Sequence, residues 1–264
     1  MLELRRRVGL GRLCHTRLVP NLESAVPPHE PSEDALAFAG KTALNAIPIV
    51  GPMAAEALAH ALDSRQAARR HEFDLLLARS LQDVLDQLDG ALTIETVVNS
   101  DEFVAAVARA QRAAAETAGE SKRRRLARAA VNDGSWAPFT RSERHQFVRL
   151  VRDFDDLHVF LLQYFTDPTA WLSTHGHQEV MAGIFMAGVQ TPFAAIFELP
   201  QAEWSGPVEQ AVKDLKAAGL ADIPLTTMMS TDGILASRTN EKGRRFLSFI
   251  AASNLAEAKP PQQL

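Results

Sequence analysis

The stretch TRSERHQFVRLVRDFDDLHVFLLQYF, residues 140–165, decides the fold class. Thr140 followed by Glu143 has the form of a capping box. The hydroxyl accepts from the third helical amide, and the carboxylate reaches back to the Thr140 amide. Beyond it Phe147, Leu150, Val151, Phe154, Leu157, Phe160, Leu161, Tyr164 and Phe165 recur at three- and four-residue steps. That period places them on one face of a single helix. Asp167-Pro168 stops the run, because a proline ring disfavours helical backbone in the residue before it.

Working outward, the same period returns upstream. Phe73, Leu77, Leu81, Val84, Leu85 and Leu88 predict a helix from Met53 to Leu88, closed by Asp89-Gly90. A short helix over Thr93–Val98 follows, and Asn99 or Ser100 caps the next one, with Asn99 and Glu102 fitting a capping box. Its stripe is Phe103, Val104, Val107, Ala110 and Ala114, and Gly119 closes it. Glu120–Asn132 reads as a basic helix. Ser32, with Glu33 and Asp34 behind it, caps an apolar helix that Ile47–Pro52 breaks. These pieces predict an antiparallel helical bundle over residues 32–170. Residues 1–31, with Pro20, Pro27, Pro28 and Pro31, read as a disordered arm, and 255–264 as a flexible tail.

After Trp171 the pattern changes. Short helices are expected at Glu179–Ala187, Pro192–Leu199 and Pro207–Ala218, the last stopped by Gly219. Leu225–Met229 and Ile234–Arg238 flank Asp232-Gly233 and read as a hairpin. A final helix runs from about Asn240 to Ala252. Three helices, a hairpin and a helix is the order of a winged-helix module. The string Val212–Leu220 resembles the L-x-x-x-G-L entry into a wing. Arg238–Leu247 resembles the T-x-x-G-x-x-F/L string after one. The fold class expected is therefore mainly α, a bundle followed by a small winged-helix-like α+β domain over 171–254, with two separate cores.

The Ile47–Gly51 break, the Asp101–Ala118 helix and the Gly243–Leu247 string also give a layout that resembles the abortive-infection alpha proteins of bacteria. That resemblance implies a bacterial origin and a tie to phage defence, and it carries over no catalytic residues.

Composition excludes several classes. The 264 residues carry 28 Lys+Arg against 32 Asp+Glu, a formal charge of −4, so bulk-charge binding of nucleic acid is excluded. One cysteine, Cys14, precludes an intrachain disulfide and points to a reducing cytoplasm. The first residues lack the apolar stretch of a secretory signal. The uncharged run Thr42–Ala55 is 14 residues and broken by Pro48, Gly51 and Pro52, too short for a spanning helix.

Three constellations remain. Lys122, Arg123, Arg124, Arg125 and Arg128 form a basic helix on which Arg124 and Arg128 share a face; it is either a surface for nucleic acid, an acidic partner or anionic lipid, or a solvated flank. Lys213 and Lys216, with Arg238, Lys242, Arg244 and Arg245, could hold phosphates or a partner, although residues 171–264 carry seven Lys+Arg against nine Asp+Glu. The small-residue segment Ala35–Leu62 is either a membrane-entering hairpin or a tight buried pair. His158 with Asp155, and His175 with His177, supply too few ligands for zinc, and His158 reads as a core histidine. No phosphate-binding, dinucleotide, zinc-protease or nucleophile-elbow motif is present. The expectation is a cytoplasmic, non-enzymatic regulatory or interaction protein without metal or cofactor, working through a protein partner or self-association. The alternatives are a DNA-binding regulator and a membrane-acting cell-death effector.

Overall fold

Pro52 lacks an amide proton, which costs nothing in the first turn of a helix, and it opens α1 (Pro52–Gln87). The computed structural model describes residues 22–28, 52–88, 90–182 and 185–251. The expected arm, the 32–51 helix and break, and the tail lie outside these residues, apart from a 3₁₀ turn at Leu22–Ala25 that Arg79 holds through Glu23. Of the predicted stripe Phe73, Leu81, Val84 and Leu85 are buried and Leu77 and Leu88 partly so, while Leu76, outside the stripe, is buried as well.

α2 (Ile94–Val98) is capped by Thr93 and α3 (Asp101–Glu116) by Ser100, whose hydroxyl accepts from the Phe103 amide. The expected Asn99–Glu102 box does not form, because Asn99 closes α2. α4 spans Glu120–Asn132, and Gly119 is its N-cap rather than a mere stop. α5 (Arg141–Asp153) starts at the Thr140–Glu143 capping box, with both bonds made.

The helix expected through residue 165 is in fact two. Phe154 ends α5, and Asp155 caps α6 (Asp156–Tyr164). The Asp155 carboxylate accepts from the His158 amide and the His158 ring meets the Asp155 amide, a second capping box with histidine in the glutamate position. The apolar period runs through the break because both helices bury that face. Asp167 and Pro168 do not only stop α6; they begin α7 (Pro168–Thr174).

The C-terminal third departs further from expectation. Among the described residues of the helix expected at 179–187, a 3₁₀ turn at Gln178–Met181 precedes strand β1 (Met186–Gly188) instead. α8 (Phe193–Phe197) leads to α9 (Gln201–Ala217), which starts six residues before Pro207 and carries that proline inside. Trp204, Val208, Ala211, Val212 and Leu215 are one buried stripe along α9, so packing outweighs the lost backbone bond. The expected 225–238 hairpin is replaced by a longer-range pair. β2 (Met228–Ser230) pairs antiparallel with β1, Ala187 opposite Met229. The Asp232-Gly233 pair lies not in a turn but in a one-turn helix, α10 (Thr231–Ile234), whose Gly233 amide the Ser230 hydroxyl caps.

α11 (Glu241–Ile250) starts at Asn240 and returns to the bundle. Gly243 lets it approach: a Cβ there would lie 2.3 Å from the Leu220 carbonyl oxygen. Phe246 and Phe249 stand 5.5 and 5.4 Å from Phe147 of α5, ring edges against faces or tilted. The largest apolar cluster therefore runs from Phe73 to Ile250 without a break near residue 170. A smaller one gathers Leu81, Leu85, Leu92, Val97, Phe103 and Val131 at the other end of the bundle. The expected pair of separate cores, one for each half of the chain, is not what forms. Among the described residues, no helix is long and apolar enough to cross a membrane.

Candidate functional site: an arginine-lined groove

The cations that sequence clustering singles out are bound inside the molecule. Arg123 is buried; it donates to the carbonyls of Thr117 and Ala118 at the end of α3 and forks onto both Glu72 oxygens at 2.9 and 2.7 Å. Arg128 is also buried and donates to Ser80 O (3.1 Å) in α1 and Ala251 O (2.8 Å) at the end of α11. Arg125 pairs with Asp156 at the start of α6 and Arg124 with Glu120 one turn back. Lys122 is half-buried, and burial with the neighbouring Arg125 charge lowers its pKa. α4 packs against α1, α3, α5 and α11, which buries Arg123 and Arg128 and leaves Arg124 on a solvated edge.

The second set is also engaged. Lys213 meets Glu209 and Lys216 meets Asp222, each at 2.8 Å. Lys242 donates to Ala218 O at the end of α9, where a helix dipole favours a cation. Arg238 donates to Gly233 O (2.7 Å) and Arg244 to Thr239 O (3.0 Å). Arg245 forks onto Glu143 at 2.6 and 2.9 Å and lies 5.2 Å over the Phe139 ring. The fold brings Lys216, Arg238 and Lys242 to the end of α9, but turns Arg245 away onto α5.

His158 behaves as a satisfied core histidine. Its Nδ1 lies 2.6 Å from Asp155, its Nε2 3.3 Å from Asp214, and its ring stacks on Phe154. Burial pushes its pKa down, but the two carboxylates outweigh that and the net shift is up. His175 and His177 both stack on the Trp171 ring rather than facing a common ion. Among the described residues there is no group of three or more His, Cys, Asp or Glu that could hold a metal.

What stays open is a groove of about 740 Å³ between α3 and α5, floored by α4. Its floor is apolar and shallow in side chain: Ala106, Ala110 and Ala113 from α3, Leu126, Ala129 and Ala130 from α4, and Val148 from α5. Its walls are cationic. α3 contributes Arg109 and Arg112, α5 contributes Arg149 and Arg152, each pair three residues apart, so one face of each helix carries both. His145 joins them from α5. Against these four guanidinium groups stand two carboxylates, Glu116 and Asp133.

The carboxylates do not neutralise the walls. Asp133, at 5% side-chain exposure, takes a hydrogen bond from Arg109 at 3.2 Å. Burial raises its pKa, and the charges of Arg109, His145 and Arg144 pull it back. Among the described residues Arg152 pairs only with exposed Asp153 beside it. Arg112, Arg149 and His145 have no ion-pair or hydrogen-bond partner among the described residues.

At one end the groove meets a smaller hollow of about 260 Å³, lined by Asp101, Glu102, Arg141 and Arg144, which shares Arg109, Asp133 and His145 with it. Buried Arg144 donates to Phe139 O (3.0 Å) and reaches Glu102 at 3.5 Å, while its Nε meets no acceptor. The starts of α3 and α5 lie together at this hollow with the end of α4, so the two walls run in the same direction.

Sequence reasoning did not single out Arg109, Arg112, His145, Arg149 or Arg152. The available signal was their spacing on two predicted helices, not their density. No family model matches the chain, no curated protein is significantly similar to it, and no solved structure matches its fold.

Proposed function

We propose that this chain is a non-enzymatic interaction protein that docks an acidic partner in the α3–α5 groove. The observation that carries the reading is the inequality of the cationic surfaces. Glu72 and Glu143 hold Arg123 and Arg245 and backbone carbonyls hold Arg128, whereas Arg112 and Arg149, exposed on the walls of the groove, have no ion-pair partner among the described residues. A guanidinium in a partly apolar recess gains most from a carboxylate that fits its planar fork. The groove is open, and no serine, threonine, cysteine, lysine or tyrosine among the described residues lines it. Its one buried carboxylate is tied to Arg109. That chemistry suits recognition better than bond-making.

The test is fluorescence anisotropy of a labelled acidic random copolymer of glutamate and alanine, titrated at low and high salt. Salt-sensitive binding is expected, and Arg112→Glu with Arg149→Glu should remove it. Lys213→Glu with Arg244→Glu, outside the groove, should leave it within about twofold. Binding that ignores the groove variant but follows the second pair would overturn the assignment.

A further inference from the structure

We infer that the occupant of the groove is an amphipathic α-helix of a partner protein, acidic along both flanks, that lies between α3 and α5 on α4. The inference rests on the acidic-partner reading and adds its shape. Three features of the groove lead to it.

The first is length. From Ala106 to Glu116 the α3 wall advances ten residues, about 15 Å, which matches roughly three turns of a docked helix. The second is depth. On α3 the floor positions are Ala106, Ala110 and Ala113, one helical stripe on which no side chain exceeds a methyl group. With Leu126 and Val148 the largest apolar side chains of the whole floor, a docked helix can settle low between the two cationic walls. An extended peptide would leave its own backbone donors and acceptors against methyl groups, with nothing to answer them. A helix arrives with those groups already paired. The third is the symmetry of charge. Arg109 and Arg112 stand on one side, and Arg149 and Arg152 on the other. A helix with an apolar stripe and carboxylates three and four residues apart on each border meets both rails at once, as flanking charges do in helical bundles.

A nucleic acid fits the same surface less well. Among the described residues the groove offers no aromatic ring on which a base could stack.

The experiment uses the full chain and three blocked peptides of glutamate, alanine and leucine, two of identical composition and a third with two alanines exchanged. One places leucine on a single helical stripe flanked by glutamates, one scrambles the order, and one keeps the stripe but carries two central prolines in place of alanines. A single-stranded oligothymidylate is the fourth probe. Affinity is read by anisotropy and peptide helicity by circular dichroism. The striped peptide should bind at least about tenfold tighter than the scrambled and proline versions and gain helicity on binding. Arg112→Glu with Arg149→Glu should abolish that binding. A lysine-flanked version of the striped peptide should bind the charge-reversed protein better than the glutamate-flanked one does.

Equal binding of the striped and scrambled peptides would sink the helix while leaving the acidic-partner reading in place. Failure of all three acidic peptides would sink both. Tighter, groove-dependent binding of the oligothymidylate would replace the helix with a phosphate backbone and overturn the inference.

Discussion

Replacing Arg128 with methionine should destabilise the protein by about 3 kcal/mol, and the figure follows from what the guanidinium touches. Its Nε donates to Ala251 O and its Nη1 to Ser80 O. Each is a hydrogen bond from a charged donor, worth about 1.5–3 kcal/mol. The low end applies to both acceptors, because Ser80 lies within α1 and Ala251 at a helix end that water can reach. Asp83, 3.4 Å away and nearly half exposed, is rehydrated when the pair is broken and adds less than about 1 kcal/mol. Methionine keeps the apolar stem, so little packing is lost. Removing the guanidinium also relieves its desolvation, which tempers the loss. Thermal melts should therefore show a fall of about 6–12 °C, with faster amide exchange over Phe246–Ile250. Arg124→Ala, one turn earlier on the same helix, breaks only an exposed pair with Glu120 and should cost about 0.5 kcal/mol or less. If Arg128→Met cost no more than Arg124→Ala, the clamp of α4 on α1 and α11 would be refuted.

Other consequences follow from the same structure. Arg245, with the Thr140 amide, holds the Glu143 carboxyl down at about 2, so Glu143→Gln should cost about 1 kcal/mol or less at pH 7. That difference is full above the ordinary value of 4.5 and should vanish in melts as the pH falls toward 2; a gap that stayed constant with pH would contradict it. The Asp155 and Asp214 carboxylates favour the charged form of His158, so its contribution is full below 6.5 and is lost as pH rises through its folded value. Proton NMR of the His158 ring should give a midpoint above 6.5, and His158→Phe should flatten stability over that interval; a midpoint below 6.5 would refute the clamp. Gly243→Ala gains helix propensity but drives a methyl group into the Leu220 carbonyl, and should still lose about 1–3 kcal/mol in chemical denaturation. A Gly243→Ala protein as stable as the parent would mean that α11 does not sit where it is described.

The elements that sequence reasoning placed well are those whose causes are local. The Thr140–Glu143 box, the extent of α4 and the buried face of α1 each depend on residues within a few turns. The hairpin failed for the opposite reason. β2 finds its partner in β1, more than forty residues earlier, and no turn residue announces such a pairing. Ser230 and Gly233 together read equally well as part of a hairpin turn or as the cap of a short helix, and the tertiary partner decides. The two-core expectation failed likewise. Phe246 and Phe249 form a good stripe for any core, and nothing local says that the core belongs to α5.

The site was least legible because density of charge along the chain is a poor guide to density of charge on a surface. Successive residues of a helix point about 100° apart, so four consecutive cations, Lys122 to Arg125, face nearly every direction. In a helix packed on several sides most of them must meet other elements. Arg123 accordingly finds Glu72, Arg125 finds Asp156, and Arg128 finds a carbonyl 123 residues away. Each bond lowers the positive charge available to a partner. A shared rail needs the reverse arrangement: cations three or four residues apart on one face, repeated on a second helix that the fold places alongside. Arg109 and Arg112 meet the first condition alone, as do Arg149 and Arg152, and each pair reads as an ordinary polar flank. They become one surface only when α3 and α5 lie side by side over alanines too small to fill the space between them. The two cationic rails are thus set by spacing within two helices, and the groove between them by the way the fold lays both helices over α4.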